Sequence, residues 1–198
     1  MKLTDKKRKD ILDAAIQEFR EQGFPAARVN RIADLAEVSK RTLYKHFESK
    51  ELLFAAITDI LLEEIAAVPK LHLRPDLPLR EQLIAAVRDY VDHLTGEQYM
   101  GLNRLVMSEL LRDQELAQAF FAKAAVQDGP ISGLIGEAMQ AGTLREVEPG
   151  FAAGQLLSMV KHFLVWPQFL MRTNAEIDPD IVTADCVDMF LAHYMPER

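Results

Sequence analysis

Apolar residues recur at helical spacing along almost all of the 198-residue chain, and no run of alternating Val, Ile or Thr suggests a strand. This periodicity restricts the chain to an all-α fold. Thr4 or Asp5 can cap a first helix, whose stripe is Ile11, Leu12, Ala15, Ile16 and Phe19; Gly23 ends it and Pro25 blocks its continuation. A short second helix is expected over Val29 to Glu37, with Val29, Ile32, Ala33 and Ala36 inward. Ser39 is placed to cap a third helix through Phe47, and Ser49 a fourth from Lys50 to about Val68. Three prolines then fall between Pro69 and Pro78, and further helices are expected at about 79–95, 98–112, 114–126, 130–141, 150–171 and 179–195. Gly96, the Asp128-Gly129-Pro130 turn, Gly142 and Asp178-Pro179 mark most of the breaks, and Pro167 is placed to bend the helix that contains it. The expected architecture has nine or ten helices: an N-terminal three-helix unit over 1–52, a linking helix to about 68, and a helical bundle over 69–198.

Charge separates these parts. The net charge of the chain is −7, yet residues 1–50 hold 12 Lys and Arg against 8 Asp and Glu, a net of +4, and the remainder carries −11. A basic head on an acidic body suggests that only the head meets a polyanion. No apolar run approaches the roughly 20 residues that span a bilayer, and the charged start lacks the apolar core of a signal peptide. Cys186 is the only cysteine, so an intrachain disulfide is excluded and a reducing, cytoplasmic setting is the expectation.

Three short helices within about 45 residues, with a tight turn between the second and third, make a helix-turn-helix unit. In the third helix, Leu43 and Phe47 lie four residues apart and belong to the core. Ser39, Lys40, Arg41, Thr42, Tyr44, Lys45 and His46 remain for the other faces, a basic and hydroxyl-rich surface without an acid, suited to phosphate oxygens and base edges.

The stretch Ile32 to Leu53, IADLAEVSKRTLYKHFESKELL, resembles the signature I-A-x-x-A-G-V-S-x-x-T-L-Y-x-H-F-x-S-K-E-x-L of the TetR family of repressors. Arg104 to Glu109, followed by Glu115 to Phe121, resembles one branch of that family's variable C-terminal domains. The resemblance implies base-edge contacts from Arg41, Thr42 and Lys40, and backbone contacts from Tyr44, Lys45, His46 and Lys50, with Arg28 and Asn30 as second-tier candidates. Two departures stand out. Glu37 occupies a turn position that is usually Gly in the family, and a positive φ there costs a non-glycine residue about 1 kcal/mol. Ala27 and Arg28 stand where the family often has a capping Thr or Ser, with Arg28 as a replacement phosphate contact.

One recognition helix reads too few base pairs to be specific, and a dimer on a pseudo-palindrome solves this. The segments 150–171 and 179–195 hold the candidate apolar dimer faces, and the resemblance implies a four-helix bundle there; an intramolecular core is the alternative. The middle helices are rich in aromatics and Met, which serve either as core or as the wall of a cavity for a small, largely apolar effector. Candidate ligand residues are Tyr90, His93, Tyr99, Asn103, Arg104, Met107, Phe120, Phe121, His162, Phe163 and Trp166, with Glu109 and Gln168 as further polar groups.

Two other classes compete with a ligand-released repressor. An enzyme is disfavoured because the chain has no H-E-x-x-H, G-x-S-x-G, P-loop or G-x-G-x-x-G, five scattered histidines and no metal-ligand cluster, so no cofactor is implied. An effector-independent protein that binds all DNA would show affinity set by counterion release alone. Within the family, activation instead of repression stays open.

Overall fold

The computed structural model describes residues 3–125, 129, 131–173 and 177–196. Among them are eleven helices and no strands: α1 (Leu3–Gln22), α2 (Val29–Leu35), α3 (Lys40–His46), α4 (Lys50–Ala66), α5 (Leu79–Thr95), α6 (Glu97–Leu110), α7 (Gln114–Ala125), α8 (Ser132–Gln140), α9 (Pro149–Leu164), α10 (Trp166–Met171) and α11 (Pro179–Tyr194). Most of the expected turn Asp128-Gly129-Pro130 lies outside the described residues. The chain divides into two compact units, one of residues 1–63 with 101–124 and the other of 64–100 with 125–198.

In the first unit α1 packs on α2, and α2 on α3. The helix begins at Leu3, so Asp5 lies in its first turn instead of capping it. Ile11, Leu12, Ala15 and Phe19 of the anticipated stripe are buried, as are Ile32, Leu43, Phe47 and Phe54 from the following helices. Phe19, Phe24 and Phe54 form a triangle of rings with centroids 4.9–5.8 Å apart. Elsewhere in this unit the Arg20 guanidinium rests against α6 at Gly101, where a Cβ would lie 2.6 Å from the Arg20 Nη2 and push that side chain aside.

The second unit is centred on α9, which packs against α5, α8, α10 and α11. Glu148 caps α9 by accepting the amides of Gly150 (2.8 Å) and Phe151, with Pro149 at the first position. Asp178 and Pro179 begin α11 in the same way, the Asp178 carboxylate accepting the Asp180 amide at 2.9 Å. The single helix expected over 150–171 is two. Pro167 has no amide to donate toward Phe163 and its ring would collide with that carbonyl, so the ladder breaks at Val165. The Gln168 side chain then satisfies the Leu164 carbonyl at 2.9 Å. The proline-rich segment is fastened down as well. Gln82 accepts the Arg74 amide (2.8 Å) and donates to the carbonyls of Arg74 and Leu77, while Glu137 accepts the Leu73 amide (2.6 Å) and bonds His72 Nδ1 (2.6 Å).

Candidate nucleic-acid interface

The turn between α2 and α3 is built from backbone hydrogen bonds. Glu37 donates its amide to the Asp34 carbonyl (3.1 Å) and Val38 to that of Ala33 (3.0 Å), with Glu37 left-handed at φ +51°. This pair of bonds is a Schellman motif with Glu37 at the position that favours glycine. α8 ends on the same motif, where Gly142 and Thr143 donate to Met139 and Ala138 and Gly142 has φ +71°. The anticipated departure at Glu37 is therefore a real conformational demand met by the wrong residue type.

Ser39 caps α3: its Oγ accepts the Thr42 amide at 3.1 Å and lies 2.8 Å from the Thr42 hydroxyl. With Leu43 and Phe47 buried, Lys40, Arg41, Tyr44 and Lys45 are left exposed, and Thr42 and His46 half-buried. The Lys40 ammonium lies 5.9 Å from the Tyr44 ring, and the Arg8 guanidinium 5.1 Å from the Phe47 ring. Arg28 and Asn30 at the start of α2 are also exposed.

Lys50 is placed differently from its expected role at a phosphate. Its Nζ donates to the carbonyls of Phe24 (2.7 Å), Pro25 (3.2 Å) and Ala27 (3.4 Å), 4.7 Å from the Phe24 ring. An ammonium has three protons and all three are used, so Lys50 ties the α1–α2 loop to α4.

The residue missed by sequence reasoning is Glu18. It sits in the apolar stripe of α1 with 3% of its surface exposed. Arg28, the N-cap of α2, has no side-chain cap. The Glu18 Oε1 accepts its amide at 3.1 Å, and Oε2 lies 3.9 Å from the Arg31 Nε. Its position on the buried side of the stripe, with Ala14, Ala15 and Phe19, was the available signal.

The candidate ligand residues divide by environment. In the second unit Tyr90 and Tyr99 are buried, and the half-buried His93 ring stands 5.5 Å from that of Tyr99. Burial pushes the Tyr99 phenol far above its ordinary range. His93 Nε2 has no hydrogen-bond partner and lies 4.0 Å from the Glu64 carboxylate. In the first unit Asn103, Arg104 and Met107 are half-buried, the Asn103 Oδ1 is unpartnered, and Phe120 is buried. Phe121, His162, Phe163 and Trp166 stand exposed instead of lining an enclosed wall. The inner face of α9 is taken by Leu156, Val160 and Leu164, which turns His162 and Phe163 to the other side.

An open groove of about 770 Å³ runs between α9 and α11, lined by Phe151, Gln155, Met159, Met189, His193 and Tyr194 among others. None of the eleven candidate ligand residues lines it. Phe151 and Met189 are 60% and 63% exposed, and Ile181 on α11 is exposed as well. At one end Tyr194 donates to Gln155, and Arg145 bonds His193 and lies 4.9 Å from the Tyr194 ring. Cys186 is buried and its thiol is pushed up by burial, which suits a core residue and not a nucleophile.

Residues 11–57 match the family described as bacterial regulatory proteins, tetR family, and residues 81–196 match the C-terminal domain of AefR-like transcriptional repressors. The chain belongs to the TetR family of transcriptional regulators. It is similar over 99% of its length to a TetR family regulator from Pseudomonas syringae pv. tomato str. DC3000, all of whose chain is covered, with 36% identity and a TM-score of 0.80. The flavonoid-responsive regulator FrrA has 28% identity and a TM-score of 0.73, over 97% of this chain and 98% of its own. The HTH-type transcriptional regulator RutR of Escherichia coli (strain K12) has 27% identity over 186 residues, 88% of this chain and 82% of its own. TetR family proteins are DNA-binding regulators, not enzymes, and no described helix here is long and apolar enough to cross a membrane.

Proposed function

We propose that this TetR family protein is a cytoplasmic repressor that binds a pseudo-palindromic operator as a homodimer and is released by a small, largely apolar effector. The observation that carries the DNA-binding part is the surface of α3: Lys40, Arg41, Tyr44 and Lys45 are exposed together, with no carboxylate between Val38 and Phe47. Arg41 and Lys40, with Thr42, are the base-reading candidates; Ser39, Tyr44, Lys45, His46, Arg28 and Asn30 are the phosphate-contacting ones. The head is residues 1–52, α4 links it to a body over 69–198, and the body dimerises through the exposed faces of 150–171 and 179–195. Support for the dimer comes from exposed apolar side chains that a monomer would leave in water: Phe151 and Met189 along the groove between α9 and α11, and Ile181 on α11. The AefR-like C-terminal match supports repression, and the flavonoid-responsive relative makes planar aromatic compounds the first effector class to screen.

Selection from a random duplex library tests this directly. Native protein should enrich two inverted half-sites whose centres lie about 34–36 Å, or a multiple of one helical turn, apart. Enrichment of no sequence, with equal binding to all duplexes, would favour the effector-independent reading. Release of the enriched duplex by a planar aromatic would in turn separate effector control from constitutive binding.

A further inference from the structure

α2 starts without the means to satisfy its own first amides. Its N-cap is Arg28, extended at φ −109° and ψ 123°, with no side-chain hydrogen bond to the helix. The first turns of α3 and α4 receive such bonds, since Ser39 accepts from Thr42 and Ser49 from Leu52, both at 3.1 Å. At α2 it is the amide of the N-cap residue itself that is held, and by another helix. Glu18, ten residues upstream on α1, presents Oε1 to the Arg28 amide and Oε2 toward the Arg31 guanidinium. It does so with 3% of its surface exposed, and burying an ionised carboxylate is costly unless partners are fixed around it. The buried carboxylate thus bridges residues three apart in the first turn of α2, while the side chains of both Arg28 and Arg31 extend to the exposed surface.

We infer that Glu18 is a positioning residue for operator recognition, holding the N-cap amide of α2 from α1 and so setting how α2 presents Arg28 and Arg31 to DNA. This rests on the proposed reading of α2 and α3 as the DNA-binding unit. A residue that merely fills space at this position would be replaceable by leucine. A residue that works as an acceptor is replaceable only by another acceptor.

The test compares Glu18→Leu and Glu18→Gln in the full-length protein, using the duplex that native protein enriches, at a temperature where circular dichroism shows both variants folded. Loss of a capping bond is expected to weaken binding about fivefold per head, or roughly 25-fold for a two-headed dimer. Glu18→Gln retains the side-chain oxygen for the Arg28 amide and should bind within about twofold of native. Amide exchange at Arg28 should accelerate in Glu18→Leu only. If Glu18→Leu fails to fold, the Glu18→Gln affinity and its Arg28 exchange rate decide. Native-like affinity in Glu18→Leu, or a loss in Glu18→Gln equal to that in Glu18→Leu or as large as the one expected of it, overturns the inference. Failure of native protein to bind any duplex overturns the DNA-binding reading itself, and is seen before either variant is made.

Discussion

Replacing Glu37 by glycine should make this protein more stable, although it removes a side chain. At φ +51° Glu37 is held in the left-handed region, which costs a residue with a Cβ about 1–2 kcal/mol. Its hydrogen bonds to Asp34, and those of Val38 to Ala33, come from the backbone and survive the substitution. Against the relief stands the greater freedom of an unfolded glycine, about 0.4–1 kcal/mol. The difference is a gain of about 0.5–1 kcal/mol, or roughly 1–4 °C in Tm for a chain of this size. α8 supplies the internal comparison, because its Schellman turn has the same bonds with Gly142 in the strained position. Glu37 is also exposed and stands two residues before the cap of α3, so its removal takes away a negative charge near the DNA. At about 10 Å in water that charge is worth roughly 0.4 kcal/mol per head, about twofold in affinity. Glu37→Gln separates the two effects, since it keeps the strain and loses the charge. Scanning calorimetry should show a higher Tm for Glu37→Gly alone, while fluorescence anisotropy shows tighter binding for both variants. A Glu37→Gly protein that melts at or below the native temperature would refute the strain argument.

Lys50→Met should lower stability by about 2–3 kcal/mol in urea unfolding, because carbonyls of the α1–α2 loop lose a charged donor, and should leave the salt dependence of DNA binding unchanged. A slope smaller by about one would return Lys50 to the phosphate backbone. Phe151→Glu should convert the dimer to monomer in sedimentation at micromolar concentration. A two-fold interface buries the remaining exposed 60% of two copies of Phe151, worth roughly 2–4 kcal/mol together, so the dimer should weaken at least about 20-fold; an unchanged dimer would put the interface elsewhere. The bonds from His72 and from the Leu73 amide hold the Glu137 carboxyl below its ordinary value of 4.5. Because the folded value is depressed, this tie contributes fully above about pH 4.5 and is lost as pH falls below it. Amide exchange at Leu73, corrected for intrinsic rates, should therefore lose protection on acidification from that pH, and Glu137→Gln should lose that step.

The elements that could be read from sequence were those whose local chemistry and packing agree. Ser39 caps α3 while Leu43 and Phe47 face inward, since cap preference and the four-residue period act within a single turn. Long-range contacts were not legible. The α1 stripe marks Glu18 as a carboxylate on a buried side but not the bare start of α2 that it meets, and the carbonyls that claim Lys50 lie 23–26 residues earlier in the chain. Periodicity was least informative where large apolar residues fall on both faces of a helix. Along α9 it could not distinguish buried Val160 from exposed Phe163, so aromatics expected around a ligand stand on an outer face. Pro167 marked a disturbance within 150–171, but the separation into α9 and α10 depends on the Val165 backbone and on Gln168 closing the Leu164 carbonyl.

If α3 reads DNA sequence through Arg41, one titration shows it. Native protein and Arg41→Ala are titrated by anisotropy into the duplex enriched from the random library and into a scrambled duplex of equal length. Recognition through Arg41 requires that native protein prefer its own site by about 10³-fold or more, and that Arg41→Ala lose about 1–3 kcal/mol of discrimination per head while binding scrambled DNA nearly as before. Equal binding of both duplexes by native protein, or an Arg41→Ala variant that keeps the full preference, would contradict it.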